Sequence, residues 1–149
     1  MAGEVMGKKY ELTDERKTTP GATVIYRIRA TKSFGPVKKG DLGGWVESED
    51  NLSQDGQAKV SGQAMVYGQA MVYGQAMVYG QADYISISPI GSEGGIFTAY
   101  KTDRGIGCNR GCFSGTLQEF ILAVRKTHEN SRIGMEYEAV ISLVKARLQ

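Results

Sequence analysis

The chain has 149 residues, 41% of them hydrophobic and 23% charged, which is enough for one compact unit or two small ones. Eighteen Lys and Arg against sixteen Asp and Glu leave a formal charge of only +2, which excludes a surface that is basic all round and grips a phosphate backbone. No run approaches the roughly 18 apolar residues of a membrane span, and Met1 to Tyr10 lacks the apolar core of a secretion signal, so a cytoplasmic protein without a membrane partner is expected.

The first elements in chain order are strands. Lys9 to Leu12 and Thr23 to Ala30 flank a Pro20-Gly21 turn signal, and in the second segment Val24, Tyr26 and Ile28 alternate with Ile25, Arg27 and Arg29, the period of a strand with one buried face. They predict a β-hairpin cap over residues 1–41.

From Leu42 the chain can be cut every six residues into LGGWVE, SEDNLS, QDGQAK, VSGQAM, VYGQAM, VYGQAM, VYGQAD and YISISP. Val60, Val66, Val72 and Val78 open their hexads, Gly62, Gly68, Gly74 and Gly80 hold the third place, and Ala64, Ala70, Ala76 and Ala82 the fifth. A period of six suits neither a helix nor a reversing hairpin. It predicts a triangular parallel β-helix over residues 42–89, with one short strand and one corner per hexad and about 2.7 coils in all. Stacking at 18 residues would then place Leu42, Val60 and Val78 in one column, and Val46, Ala64 and Ala82 in another. Glycine with 20 copies supplies the corners.

Residues 90–149 predict a small α/β domain. Ile96 to Lys101 reads as a strand. Thr116 followed by Glu119 is a capping box, and Leu117, Phe120, Ile121 and Val124 make one apolar helical face. A second helix from about Gly134 carries Val140, Leu143 and Val144 on its buried side. Charge divides along these segments: nine basic and five acidic residues in 1–41, one and five in 42–89, and eight and six in 90–149. Two basic ends flanking an acidic middle favour contacts between cap and repeat.

Strand alternation turns Met65, Tyr67, Met71, Tyr73, Met77 and Tyr79 outward. Neighbouring hexads lie on different sides, so each face carries a Met and a Tyr; exposed aromatics stabilise a sheet on their own account, and the caps could fold over some of them, whereas the functional reading makes at least one face of this Met–Tyr ladder an interface, since Met and Tyr are enriched at partner-binding surfaces. Either a dimer or trimer of the chain or a complex with another protein would use it. A second candidate is TAYKTDRGIGCNRGCFSGTLQEF, which brings Lys101, Arg104, Arg110, Ser114 and Thr116 to glycine-rich turns before a helix N-terminus, where an anion such as a nucleotide phosphate can be held. A strand, a turn and a capped helix would give the same residues with no ligand. Cys108 and Cys112 read as reduced thiols, because no second Cys pair completes a zinc site and His128 lies 16 residues on. Neither a metal nor a cofactor is expected.

The stretch KKGDLGGWVESEDNLSQDGQAKVSGQAMVYGQA, with TAYKTDRGI and GCFSGTLQEF, resembles small hexapeptide-repeat proteins of phages and prophages, often labelled polymer-forming or putative transferase, from about residue 8 to the end. The resemblance implies a mainly β protein, a short left-handed parallel β-helix with a small C-terminal α/β domain, in the cytoplasm of a bacterial host. It also brings in an enzyme alternative, since hexapeptide acyltransferases use a histidine as base. No His or Cys lies between Leu42 and Pro89, which leaves His128 as the one candidate base. A non-enzymatic protein that self-associates and docks on a host protein is the expectation, with an anti-defence protein that inhibits a host immune complex or sequesters a nucleotide signal as the alternative.

Overall fold

A computed structural model describes residues 7–111 and 113–149. Among the described residues the chain forms three sheets, two α-helices and two short 3-10 helices. Strands β1 (Tyr10–Thr18), β2 (Val24–Ala30), β3 (Leu42–Val46) and β5 (Met65–Val66) form a mixed sheet in the order β1-β2-β3-β5, and β4 (Lys59–Val60) pairs with β6 (Met77–Val78). A four-stranded antiparallel sheet, ordered β10-β9-β8-β7, joins β7 (Tyr84–Ile90), β8 (Gly95–Thr102), β9 (Gly105–Arg110) and β10 (Phe113–Thr116). Helices α1 (Leu117–His128) and α2 (Arg132–Leu148) pack against this last sheet.

The expected left-handed β-helix is therefore corrected to a mixed β fold in which antiparallel pairing predominates. Among the described residues parallel pairing is confined to Trp45↔Met65 and Val46↔Val66, the single bridge Leu52↔Val72, and Lys59↔Met77 with Val60↔Val78. Strands of two residues offer few ladder bonds, and the chain leaves them at both ends for longer hairpins. β3 takes β2 as an antiparallel neighbour, and YISISP, the last hexad by count, is β7, paired with β8 in the other sheet.

The column expectation holds for Val60 and Val78, which pair in register, and is otherwise corrected. The first two pairings are 20 residues apart and only the third is 18, so two extra residues lie between Leu52 and Lys59. Val46 consequently meets Val66 rather than Ala64, and Leu42 stands 52% exposed outside the core. The cause is visible in the early hexads, where Val46 and Leu52 occupy fifth places while the later valines occupy first places. The longer connection carries Gln54, whose Oε1 accepts the Lys9 and Tyr10 N–H groups and whose Nε2 donates to the Tyr10 carbonyl. The irregularity is thus what docks the N-terminal segment.

Inside this first core Ala58, Ala64, Ala70 and Ala76 alternate with Val60, Val66, Val72 and Val78, all buried, beside Tyr10, Ile28 and Leu52. Small and branched side chains suit so narrow an interior. Gly62, Gly68 and Gly74 turn the corners at φ of 62°, 68° and 65°, in the left-handed region, whereas Gly80 is extended at −159° and needs no glycine. Asn51 is buried with its amide satisfied on both sides: Oδ1 accepts from Glu47 and Ser48 N–H, and Nδ2 donates to the Gly68 and Ala70 carbonyls. At the N-terminal end the buried Lys9 ammonium donates to the Ala58 carbonyl at 2.6 Å and to those of Gly56 and Asp55 at 3.3 and 3.4 Å. It also stands 4.6 Å from the Phe34 ring centre.

The second core is aromatic. Phe97, Phe113 and Tyr137 surround Phe120 with ring centres 5.1 to 5.5 Å apart, and Leu117, Ile121, Val124, Val140, Ile141 and Val144 close over them. The capping box Thr116–Glu119 forms as expected. Leu143, expected on the buried side of α2, is 48% exposed; the buried stripe instead runs through Tyr137, Val140, Ile141, Val144 and Leu148. Two ion pairs tie the acidic repeat to its basic flanks, Lys8–Glu49 at 2.8 Å and Lys101–Asp83 at 3.4 Å. No helix among the described residues is long and apolar enough to cross a membrane.

Candidate functional site

The two cores are joined by a polar seam. Met71 donates its N–H to Thr98 Oγ1 at 3.1 Å and accepts from Asn109 Nδ2 at 2.8 Å. The Oδ1 of Asn109 in turn accepts from the Tyr100 and Ser114 hydroxyls, and the Tyr84 hydroxyl donates to the Met65 carbonyl. This seam uses the backbone of the Met–Tyr ladder. Met65, Tyr67, Met71, Tyr73 and Met77 are half-buried, the Tyr73 hydroxyl lies 3.7 Å from the Met71 sulfur, and β6 packs on β8. Tyr79 alone of the six is well exposed, at 49%, with the Lys59 ammonium 5.2 Å from its ring.

Beside the seam opens a cleft of about 830 Å³. Its walls come from the ends of β8 and β9 and the turn between them, from β10 and the first turn of α1, and from the last turn of α2, with Gly74 and Gln75 of the repeat at one edge. Four of the five residues expected at an anion site line it: Lys101, Arg104, Ser114 and Thr116. Lys145, which the linear sequence gave no reason to include, joins them from α2. Only the fold reveals it, because the α1–α2 hairpin returns the end of α2 to the start of α1.

Arg110 does not belong to this group. Its guanidinium donates to the Tyr137 hydroxyl at 3.0 Å and to the Ile90 carbonyl at 3.2 Å, and a Cβ on Gly95 would collide with it. It clamps α2 to the sheet. Thr116 and Ser114 are partly committed as well, Thr116 to capping Glu119 N–H and Ser114 to Asn109. Lys101 pairs with Asp83. The Arg104 guanidinium and the Lys145 ammonium, by contrast, have no hydrogen-bonding or ion-pair partner among the described residues. Asp103 and Glu119 also line the cleft, but the Glu119 carboxylate accepts the Thr116 N–H and so is held at the helix start.

Burial pushes the Tyr100 hydroxyl up to about 12 and the Cys108 thiol up to about 12, so one remains a hydroxyl donor and the other an inert thiol. Cys112 lies outside the described residues. His128 is at the opposite end of α1, in a separate surface cleft with Arg125, Met135 and Glu138, its ring centre 6.0 Å from that of Tyr137. Among the described residues no three His, Cys, Asp or Glu side chains are grouped to hold a metal ion.

No protein-family model matches the chain, and no curated protein matches it.

Proposed function

We propose that the protein is a non-enzymatic binder that holds an anionic small molecule, of the phosphate-bearing kind a nucleotide represents, in the cleft between the β8–β9 turn, the start of α1 and the end of α2. The observation that carries this reading is that Arg104 and Lys145, which make no hydrogen bond or ion pair through their charged ends among the described residues, line one cleft from different elements with Lys101, Ser114 and Thr116 beside them. Three cations, Lys101, Arg104 and Lys145, line the cleft against two carboxylates, Asp103 and Glu119, and Glu119 is held at the helix start, so the side with the cations favours a negatively charged ligand. The N–H groups of the first turn of α1 add to that field. General acid or base work needs a group titrating near the working pH, and among the described residues the cleft is lined by Lys, Arg, hydroxyl and carboxylate groups rather than His or Cys; this favours capture over turnover.

The Met–Tyr ladder supports a second reading, assembly or docking, at one place. Tyr79 and its Lys59 neighbour remain exposed, whereas the other five positions are half-buried and several are tied into the seam. Set beside the resemblance to phage hexapeptide-repeat proteins, either surface would act on a molecule of the bacterial host, and sequestering a nucleotide signal is the form the cleft supports better.

The test is a heat-stability shift with adenosine triphosphate and with inorganic pyrophosphate as probes. A ligand at one hundred times its Kd adds about 2.7 kcal/mol, which raises Tm by roughly 5–10 °C in a chain of this size. The Arg104→Gln/Lys145→Gln protein should show no shift. An equal shift in that variant, or none in the parent with either probe, would overturn the reading.

A further inference from the structure

A second, smaller hollow lies at the other end of the molecule. The chain from Phe34 to Val37 folds back on itself through two backbone bonds of 2.9 Å, Phe34 N–H to the Val37 carbonyl and the reverse. This tight turn stands over Ile28, Leu52 and Val60 and partly roofs a hollow of about 200 Å³ that opens to the surface. Three features separate it from an ordinary packing gap. Its walls are apolar side chains, Phe34 and Val37 above and Ile28, Leu52 and Val60 below. Leu42, the exposed apolar residue noted above, lies on its rim. The polar groups, Asp41, Lys59 and Ser61, accompany it as a minority.

Water fills such a space poorly, because each molecule needs two to four polar partners. Nor can the wall grow inward at Gly43, where a Cβ would meet Ile28 Cγ1 and the Val60 carbonyl at 2.8 Å each. A cavity of about 150 Å³ lined by aliphatic and aromatic groups takes up benzene. One of about 200 Å³ holds the same ring with one or two substituents. We infer that this hollow beneath the Phe34–Val37 turn is a binding site for a small, mainly apolar ring compound of benzene to indole size, with one polar group directed to Asp41, Lys59 or Ser61. Its occupant covers Leu42. The site is independent of the basic cleft, which lies in the C-terminal unit.

Ligand-observed NMR with toluene, phenol and indole tests it on the full chain. Binding of at least one probe to the parent is expected, with phenol or indole tighter than toluene. Ala30→Leu and Ser61→Leu each put a larger side chain on the wall and should weaken binding tenfold or more while the melting temperature stays within a few degrees; should one of the two fail to fold, the other carries the comparison. Absence of binding by all three probes at their solubility limits, or undiminished binding in a folded variant, would overturn the inference.

Discussion

The repeat and the C-terminal unit solve the burial problem in opposite ways. Between Leu42 and Asp83 the interior is made of alanine and valine, the corners are left-handed glycines, and the strands are two to five residues long. From Tyr84 onward, strands of four to eight residues and two helices close around four aromatic rings. The repeat has a regular interior too narrow for a ligand, and its irregular step at Gln54 is used to attach the N-terminal segment. The C-terminal unit brings distant segments together at the ends of its elements, and the basic cleft forms there. Regular stacking makes a support; irregular packing makes room.

The sharpest way to break this contrast is to remove a large side chain from the aromatic core. Phe120→Ala should cost about 3–5 kcal/mol, because the transfer term and the cavity term add. Val72→Ala in the repeat removes two methyl groups, about 0.8 kcal/mol each, and should cost roughly half as much. Equilibrium urea unfolding of both variants checks the order. If Val72→Ala proves the more damaging, the aromatic core is not the main source of stability.

Asn51→Leu comes next. It leaves the Glu47 and Ser48 N–H groups and two carbonyls of the repeat without their side-chain partner, and about 1–3 kcal/mol is lost for a buried group so exposed. Thermal unfolding followed by circular dichroism measures it. Smaller still is the glycine pair: Gly68→Ala places a Cβ at φ 68° and should cost about 1 kcal/mol, whereas Gly80→Ala, at an extended backbone, should cost close to nothing. Equal effects would remove the conformational reason for the third-place glycine.

Buried titratable groups act on stability in opposite directions. In the folded protein, burial lowers Lys9 from 10.5 to about 8, so between about pH 8 and 9 the unfolded chain holds a proton that the folded chain has shed. Stability therefore rises there, by up to about 1.4 kcal/mol per pH unit. Cys108 and Tyr100 are raised to about 12, and Tyr10 is also raised, chiefly by burial. These groups stay protonated in the fold after the unfolded chain has lost their protons. Cys108 should offset the gain from Lys9 above about pH 9, and the tyrosines should make stability fall above about pH 10. Urea midpoints from pH 7 to 11 should pass through a maximum near 9–10, and Lys9→Met should abolish the rise between 8 and 9.

How far the sequence could be read follows from the same contrast. The alternation of Ala64 and Val66 with Met65 and Tyr67, the Thr116–Glu119 box and the α1 face were legible because each is a local pattern imposed by one element. The solenoid as a whole was not. A six-residue count says nothing of the two-residue step that shifts Val46 onto Val66, or of the departure of YISISP into an antiparallel sheet, since both depend on which strand the chain meets next. The same limit applies to the site. Lys101, Arg104, Ser114 and Thr116 were recoverable because they cluster in the sequence around one turn and one helix start. Arg110 belongs to that cluster in sequence only, as β9 carries its side chain to Tyr137, and Lys145 belongs to it in space only.

The central claim is that the cleft of the C-terminal unit, rather than the Met and Tyr positions of the repeat, is where this protein meets its anionic ligand. Native mass spectrometry of the full chain purified gently from bacterial cells tests it most directly, with the Arg104→Gln/Lys145→Gln variant prepared in parallel. The account predicts a small anionic adduct on the parent that is missing from the variant, both proteins being equally folded. A parent carrying no adduct, or an adduct that persists in the variant, would contradict it.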